Sequence, residues 1–321
     1  MSQAKPIVAV ALADDADPCP WVEAFAPLLP GFAVQPLGTV ADPAAVRYAV
    51  AWKHEPGALA PCRNLRALFS LGAGVDHLLA DPDLPAGVPI GRVVDPDLTT
   101  RMGEWVCLHV LMHHRQQRRY DAQQKQRLWA DDLGQPAARD VRVGIMGLGE
   151  MGRDAVRRLA MLGFDVAGWS RSPRTLADGA AFHGATGLEP FLRRTQILVV
   201  LLPLTDCTRG LLNRPLFERL ARDGHLGGPV LINGGRGGLQ VEADIVSCLA
   251  DGTLGGATLD VFETEPLPDA SPLWVHPAVT VTPHNAAISS PAAVSRFLAA
   301  QIAAVEAGRP LTHKVDPGLG Y

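Results

Sequence analysis

The sequence predicts an α/β protein with two domains, each built on a parallel β-sheet of the Rossmann-like or flavodoxin-like kind. Short Val-rich runs alternate along the chain with stretches of helical periodicity. The runs are apolar at successive positions, which is typical of strands that helices cover on both faces of a parallel sheet. Two domains are expected because the chain has 321 residues, whereas a single domain usually has roughly 100 to 200.

Eight apolar runs are predicted to form strands. Three of them lie in the first hundred residues and five lie further along, at residues 7–12, 46–52, 65–71, 141–146, 166–169, 197–202, 230–232 and 279–281. Because helical stretches separate most of these runs, the order favours βα units and two sets of parallel strands.

Two further helices are predicted from the residues at their ends. Thr99 or Thr100 is predicted to cap a helix that begins apolar and becomes polar over residues 115–127. This helix should therefore be buried where it starts and exposed where it ends. The other helix is predicted at residues 291–308, where Gly308 provides a stop signal.

The charge and cysteine content exclude several classes of function. The chain has 29 Lys and Arg against 33 Asp and Glu, so no surplus of positive charge is available to bind nucleic acid. The apolar run at residues 7–13 ends at Asp14 and is too short to span a membrane. Five scattered cysteines without a C-x-x-C pair indicate reduced thiols in a cytoplasmic protein. His113 and His114 are adjacent on a predicted helix and point in different directions, which argues against a metal site.

A glycine-rich loop joins a predicted strand to a predicted helix. It consists of Gly147, Leu148, Gly149, Glu150, Met151 and Gly152. In this context the first glycine permits a tight turn, the second lets backbone N–H groups approach a pyrophosphate, and the third lets the helix pack on the strand. The helix N-terminus adds partial positive charge. The loop therefore predicts that a dinucleotide cofactor binds here.

The residues after the next strand predict which dinucleotide is preferred. They are Ser170, Arg171, Ser172, Pro173 and Arg174. An acidic residue that binds the ribose 2′-hydroxyl of NAD(H) is expected about 20 residues after the glycine loop, and none of these five is acidic. Two guanidinium groups and two hydroxyls suit a 2′-phosphate, which predicts a preference for NADP(H) with NAD(H) still possible. The alternative is a solvated loop that binds nothing.

Three segments that follow predicted strands each contain a residue suited to catalysis. Arg236 lies among glycines, Glu265 precedes a proline and His284 follows one. Taken singly, they could be a salt-bridge partner, a solvated acid and a hydrogen-bonded turn residue. Because ligands of open α/β sheets bind at the carboxyl ends of the strands, we expect all three to lie beside the dinucleotide. Together they would supply an anion clamp, a charged partner and a general acid.

These motifs resemble those of the D-isomer-specific 2-hydroxyacid dehydrogenases, and within that family most of all the glyoxylate/hydroxypyruvate reductase A branch. The resemblance covers nearly the whole chain. Besides the glycine loop and the three segments above, it rests on the motifs at residues 71–76, 169–172, 202–205 and 315–321.

The resemblance implies a domain organisation and a division of roles. Two domains are expected, a discontinuous substrate domain of residues 1–98 and 287–321 and a cofactor domain of residues 99–286 inserted into it. Arg236 would bind the carboxylate and carbonyl of a 2-oxo acid, and His284 would protonate the carbonyl oxygen. Glu265 would be its partner, since a carboxylate close to an imidazole stabilises the protonated ring. No metal is required.

The resemblance also implies binding residues and an assembly. Trp52, Gly72, Ala73 and Gly74 would contact the substrate, together with Arg236 and His284. Further cofactor-binding residues are expected in the loops after the strands, at Leu202, Pro203, Thr208, Asn233, Gly234 and Asp260. A homodimer is expected to form through the helix that starts near Thr99.

Two departures from the family pattern leave the substrate open. Gly234 and Gly235 stand where the family commonly has a larger residue and then Ala, which is expected to loosen Arg236. Asn285 follows His284 where an aliphatic residue is usual. The main hypothesis is NADPH-preferring reduction of glyoxylate and hydroxypyruvate to D-2-hydroxy acids. The alternatives are a D-lactate or phosphoglycerate type of dehydrogenase, the latter expected to continue into a regulatory domain after Tyr321, and a non-catalytic dinucleotide-sensing protein of the same fold.

Overall fold

The computed structural model describes residues 5–321 and divides the chain into two compact units. The first unit contains the chain up to Leu98 together with the segment from Ser289 to Tyr321, and the second extends from Thr99 to Ile288. The return to the first unit lies two residues later than the predicted start at residue 287.

The first unit is built on a parallel sheet of five strands. The strands are β1 (Ile7–Leu12), β2 (Ala33–Pro36), β3 (Val46–Trp52), β4 (Ala67–Ser70) and β5 (Ile90–Gly91), and their order across the sheet is β2-β1-β3-β4-β5. Its helices are α1 (Cys19–Phe25), α2 (Asp76–Leu79) and α9 (Pro291–Glu306). The aromatic rings of Phe25, Tyr48 and Phe69 are fully buried in its core.

The second unit is built on a parallel sheet of seven strands. They are β6 (Arg142–Met146), β7 (Asp165–Ser170), β8 (Ala180–His183), β9 (Ile197–Val200), β10 (Val230–Asn233), β11 (Gly256–Leu259) and β12 (Val279–Val281), in the order β12-β11-β10-β9-β6-β7-β8. The remaining helices are α3 (Pro96–His114), whose first turn belongs to the first unit, α4 (Gln117–Gln126), α5 (Glu150–Met161), α6 (Gly184–Arg194), α7 (Arg214–Phe217) and α8 (Glu242–Ala250).

Two apolar clusters cover the second sheet and fix the positions of its strand ends. One contains side chains from α3 and α5, among them Val106 and Val156, and the other contains Phe191, Phe217 and Ile245 from α6, α7 and α8. The central strands β6, β9 and β10 are almost entirely buried, as their continuous apolar runs predicted. The predicted fold class of two parallel-sheet α/β domains is confirmed.

All eight predicted strands are present, and four more were missed. The missed strands β2, β5 and β8 lie at or next to the edges of their sheets, and β5 has only two residues. Edge strands are partly exposed and so lack the continuous apolar pattern. The fourth, β11, precedes the Glu265 segment, which was expected to follow a strand, but no range was predicted for it, because the buried sequence Gly-Ala-Thr-Leu has few large apolar side chains.

The helix predicted from Thr99 or Thr100 starts earlier and is interrupted. Helix α3 begins at Pro96, and the Asp95 carboxylate accepts a 2.7 Å hydrogen bond from the backbone N–H of Asp97, so neither threonine is its cap. After His114 the chain turns at Gln116, which has a left-handed φ of 53°, before the exposed helix α4 begins. The predicted C-terminal helix is confirmed as α9.

Candidate active site

The glycine loop lies between β6 and α5, as predicted, and its geometry fits a dinucleotide. Gly147 has a φ of 109°, and a Cβ at Gly152 would overlap the Gly147 carbonyl oxygen. A Cβ at Gly149 would meet nothing within 4 Å, so open space adjoins the loop. No side chain caps the N-terminus of α5, and its first N–H groups are thus available to an anion. Leu148 is buried, while Glu150 is exposed and pairs with the Arg153 guanidinium.

The segment expected to read the cofactor's ribose follows β7 at the same edge of the sheet. Ser170 is the last residue of β7, and its hydroxyl donates a 2.8 Å hydrogen bond to the Ser172 carbonyl oxygen. The side chains of Arg171, Ser172 and Arg174 are exposed. The Ser170 hydroxyl therefore shapes the turn, and the two guanidinium groups lie where solvent or a phosphate can reach them.

The three candidate catalytic residues follow neighbouring strands of one sheet. Arg236 follows β10, Glu265 follows β11 and His284 follows β12, and these strands are adjacent and parallel. Their carboxyl ends therefore lie at the same edge as that of β6, where the glycine loop begins. The topology thus brings the three residues to the sheet edge at which the glycine loop begins.

His284 and Glu265 are in direct contact. The Nδ1 atom of His284 lies 2.8 Å from Oε2 of Glu265, with 30% of the imidazole side chain and 24% of the carboxylate side chain exposed. The other oxygen of Glu265 accepts a 3.2 Å hydrogen bond from the backbone N–H of Phe262. The carboxylate therefore orients the ring through Nδ1, which leaves Nε2 as the ring nitrogen that can reach a substrate.

The His284 turn is fixed by the buried side chain of Asp260, which follows β11. His284 has a left-handed φ of 51°, a conformation that costs a non-glycine residue about 1 kcal/mol or more. Its N–H donates to the Asp260 carbonyl oxygen at 2.8 Å, and the Asp260 carboxylate accepts hydrogen bonds from the N–H groups of Asn285 and Ala286 at 2.9 and 3.0 Å. Asp260, predicted as a cofactor-binding residue, thus anchors the turn that contains His284.

Helix α3 supports the same turn from behind. Thr282 donates a 2.6 Å hydrogen bond to Asp260, and the indole of Trp105 donates to Thr282 at 3.3 Å. His109, one turn further along α3, donates from Nδ1 to the Trp105 carbonyl oxygen at 2.8 Å. Burial lowers the pKa of His109, and the nearby Asp260 only partly offsets this effect. The His109 ring is therefore neutral near pH 7. The sequence did not predict the three residues that support this turn, which are Trp105, Thr282 and His109.

The Arg236 segment is closely packed despite its glycines. A Cβ at Gly234 would lie 3.0 Å from the Trp105 ring, and one at Gly235 would lie 2.8 Å from the Leu202 carbonyl oxygen. Asn233, expected to bind the cofactor, is fully buried, and its amide accepts from the N–H of Gly235 at 3.0 Å. Arg236 is partly buried and donates from Nη1 to the Gly235 carbonyl oxygen at 2.9 Å.

The loop after β9 contains the remaining predicted cofactor residues of this unit. Leu202 is buried and Pro203 is partly exposed. The Thr208 hydroxyl donates to the Pro203 carbonyl oxygen at 2.8 Å and accepts from the Thr205 N–H at 2.8 Å. Thr208 therefore closes the loop that lies between the glycine loop and the Arg236 segment at the sheet edge.

In the first unit, the structure brings Trp52 and the predicted 72–74 loop together. A Cβ at Gly72 would overlap the Trp52 indole, so this glycine is required by the ring. The fully buried Ser70 pins the loop, because its hydroxyl donates to the Gly74 carbonyl oxygen at 2.7 Å and accepts from the Gly72 N–H at 3.1 Å. Ala73 is partly exposed between them. Ser70 was not predicted, although a polar residue at the end of an apolar run was a usable signal.

Residues 5–321 contain neither a cluster of metal-ligating side chains nor a membrane-spanning helix. Within this range no group of three or more His, Cys, Asp or Glu side chains is placed to hold a metal ion. None of the helices described is both long and apolar enough to cross a membrane.

Comparison with known proteins identifies the family. Residues 107–286 match the model of the D-isomer specific 2-hydroxyacid dehydrogenase, NAD binding domain. The chain belongs to the D-isomer specific 2-hydroxyacid dehydrogenases. The family that the motifs predicted is thereby confirmed, and the matched range contains the glycine loop and all three candidate catalytic residues of this dehydrogenase.

Curated relatives of this dehydrogenase are reductases. Glyoxylate/hydroxypyruvate reductase A of Serratia proteamaculans is 41% identical over 279 residues, which cover 85% of this chain and 87% of that relative. The enzyme of the same name from an Enterobacter species is 37% identical over 306 residues, which cover 94% of this chain and 96% of the relative.

Solved structures of related enzymes have the same fold. An NADPH-dependent glyoxylate/hydroxypyruvate reductase of Sinorhizobium meliloti, in complex with NADP and sulfate, is 49% identical with a TM-score of 0.93 and covers 99% of this chain and 100% of its own. A 2-hydroxyacid dehydrogenase of Xanthobacter autotrophicus Py2, in complex with NADPH and MES, is 39% identical with a TM-score of 0.92 and the same coverage.

Proposed function

We propose that this dehydrogenase reduces small 2-oxo acids with NADPH as its preferred reductant, glyoxylate to the achiral glycolate and hydroxypyruvate to D-glycerate. The observation that carries the proposal is the His284–Glu265 pair, at 2.8 Å, on the same sheet edge as the glycine loop. The relatives named for this activity support the choice of substrates.

His284 acts as the proton donor. Glu265 accepts from Nδ1 and stabilises the protonated ring, so that Nε2–H can donate to the carbonyl oxygen of the substrate. Because Asp260 fixes the backbone on both sides of the ring, the donor is held in place before the substrate binds.

Arg236 binds the carboxylate and polarises the carbonyl. Its guanidinium can meet a carboxylate through two parallel hydrogen bonds and provides fixed positive charge where an alkoxide develops. We assign substrate binding also to the N–H groups near Ala73 and Gly74 and to the ring of Trp52. With this assignment, the first unit is the substrate domain. Ser70 keeps the 72–74 loop in one conformation.

The second unit holds the cofactor. Residues 147–152 and the N-terminus of α5 bind its pyrophosphate, and Arg171 and Arg174 bind a 2′-phosphate. When bound, NADPH supplies the hydride that the carbonyl carbon receives. Leu202, Pro203, Thr208, Asn233 and Gly234 form the wall of the nicotinamide side.

Steady-state reduction of a substrate panel tests the proposal. Purified protein is assayed by absorbance of the reduced cofactor with glyoxylate, hydroxypyruvate, pyruvate and 3-phosphohydroxypyruvate, each with NADPH and NADH at equal ionic strength. We expect the highest kcat/KM for glyoxylate or hydroxypyruvate and a preference for NADPH of about 10-fold to 100-fold. His284→Ala should lower kcat at least about 100-fold and leave the Kd of NADPH nearly unchanged.

The other outcomes identify the alternatives. Preference for pyruvate or for 3-phosphohydroxypyruvate would indicate a D-lactate or phosphoglycerate type of enzyme. NADPH binding without turnover of any of the four acids would indicate a dinucleotide sensor. A kcat of His284→Ala within about threefold of wild type would refute the acid role of His284.

We further propose a cytoplasmic homodimer. Apolar side chains are exposed on α3 and just after α4, where Leu108 is 53%, Trp129 98% and Leu133 93% exposed. This is the region in which the sequence predicted the dimer contact. Light scattering after gel filtration should give a dimer for wild type and for Trp274→Ser, which alters an exposed Trp elsewhere, but a monomer for Trp129→Ser combined with Leu133→Ser. A wild-type monomer would refute the proposal.

A further inference from the structure

The buried side chain of Gln240 connects two of the catalytic segments. Gln240 is 2% exposed and lies four residues after Arg236. Its amide nitrogen donates a 2.9 Å hydrogen bond to the Val261 carbonyl oxygen, in the segment that leads to Glu265. Its amide oxygen accepts a 2.8 Å hydrogen bond from the Asn233 amide, at the end of β10. The Gln240 amide is therefore used at both ends, once toward each segment.

Asn233 connects Gln240 to the backbone of Arg236 through a further hydrogen bond. The same Asn233 nitrogen also donates to the Arg236 carbonyl oxygen at 3.2 Å, and the Asn233 oxygen accepts from the N–H of Gly235 at 3.0 Å. On the other side, the chain passes from Val261 to Phe262, whose N–H donates to Glu265 at 3.2 Å. Gln240 thus lies midway between the backbone that carries the guanidinium and the backbone that orients the carboxylate.

Two other contacts join the same segments, and the Gln240 amide nitrogen also donates to the Glu242 carboxylate at 3.4 Å. A Cβ at Gly237 would overlap the Phe262 carbonyl oxygen, so the two backbones touch here. Glu242 and Glu263 exchange hydrogen bonds, each carboxylate accepting from the other's N–H at 2.7 Å. The two segments are therefore in direct contact, and Gln240 is the buried polar residue between them.

We propose that Gln240 is a positioning residue that sets the distance between Arg236 and the His284–Glu265 pair. The inference rests on the roles assigned above to these three residues. The glycines at positions 234, 235, 237 and 238 have no side chains with which the Arg236 segment could anchor itself, although neighbouring groups pack closely against their backbone. The Asn233–Gln240 bridge restrains this segment, and the Gln240 amide does so from within the protein, where it is 2% exposed.

The groups that form hydrogen bonds with the buried Gln240 amide depend on it, because burial keeps water from replacing it. If Gln240 loses its amide, the Val261 carbonyl oxygen and one Asn233 donor are left without the hydrogen bonds described here, and both backbones can shift to find others. A displacement of about 1 Å between catalytic groups is enough to cost roughly 100-fold in rate. Loss of the bridge should therefore affect catalysis more than binding of the cofactor.

The test compares two buried glutamines. Gln240→Met keeps the side-chain volume and removes the bridge. Gln196→Met is the matched control, because Gln196 is 5% exposed in the same unit, and its oxygen accepts from the Arg142 N–H at 2.9 Å away from the catalytic segments. For glyoxylate or hydroxypyruvate we expect Gln240→Met to raise KM and lower kcat, with kcat/KM down about 10-fold to 100-fold. The Kd of NADPH should stay within about twofold, and Gln196→Met should stay within about twofold in all three constants.

A double variant separates positioning from general damage. In an Arg236→Lys background the guanidinium that Gln240 positions is already lost, so adding Gln240→Met should lower kcat/KM by less than about threefold. Effects that multiply fully, or a Gln240→Met enzyme equal to wild type or to the Gln196→Met control, would overturn the inference and leave the proposed function standing. A wild-type protein that reduces none of the 2-oxo acids would overturn both.

Discussion

Replacing Glu265 by Gln is the most direct test of whether the Glu265 carboxylate supports His284 as the proton donor. In wild type the two carboxylate oxygens have separate partners, because Oε1 accepts from the Phe262 N–H at 3.2 Å and Oε2 lies 2.8 Å from Nδ1 of His284. Glutamine has one oxygen for these two donors. If that oxygen stays with Phe262, the amide NH₂ faces Nδ1 and cannot accept a proton from it.

The expected loss follows from the bond that disappears. A hydrogen bond between a charged donor and a carboxylate contributes about 1.5 to 3 kcal/mol. Without it the protonated ring loses that stabilisation, which corresponds to a fall in kcat/KM of roughly 10-fold to 150-fold.

The assay is NADPH-dependent reduction of glyoxylate between pH 5.5 and 8, with the Kd of NADPH measured in parallel. Asp269→Asn is the control, since Asp269 is an exposed carboxylate four residues further along the same segment. Its kcat/KM should equal that of wild type. If Glu265→Gln retained more than half of the wild-type kcat/KM across this pH range, the pair would not be the source of the acid.

Three further predictions concern single side chains. Arg236→Lys should lose at least about 30-fold in kcat/KM, because an ammonium cannot form the two parallel bonds of a guanidinium; near-normal values would exclude the clamp. Arg171→Ala should raise the KM for NADPH several-fold and leave NADH kinetics unchanged, and equal effects on both would contradict a 2′-phosphate contact. Burial lowers the pKa of His113 to about 4, so only the unfolded chain takes up this proton between pH 6.5 and 4, and stability should fall by about 3 kcal/mol as the pH drops through that window. Urea unfolding of His113→Gln should show a pH dependence shallower by one proton over the same range; an identical slope would refute the neutral buried ring.

The strands that precede the candidate site residues could be predicted from the sequence because most of their residues are apolar. β10 is buried along its whole length and β6 is buried after its first residue, so both sequences are mostly apolar, and the edge strand β12 still has a Val at each end. The rule that ligands bind at the carboxyl ends of parallel strands then placed Arg236 and His284 on one edge without any side-chain geometry.

The contacts that hold the site could not be read from the sequence. The left-handed turn at His284 depends on Asp260, which lies 24 residues earlier and accepts hydrogen bonds from backbone groups rather than from a recognisable side-chain motif. Because nearly every residue has a backbone N–H group, the sequence does not show which of these groups donate to a given carboxylate. Gln240 was missed for a related reason, since its partners are the Val261 carbonyl oxygen and an amide seven residues away.

The glycines at 234 and 235 have a different meaning in the structure from the one that the sequence suggested. A loosened Arg236 was expected, yet a Cβ at Gly234 would lie 3.0 Å from Trp105, and that indole donates to Thr282 at 3.3 Å. Thr282 in turn donates to Asp260 at 2.6 Å. The missing side chain therefore makes room for a Trp that links the Arg236 segment to the anchor of His284. Small residues on the backbone and large or polar side chains around it produce one continuous support for all three catalytic groups, and this support explains how an arginine surrounded by glycines can keep a defined position.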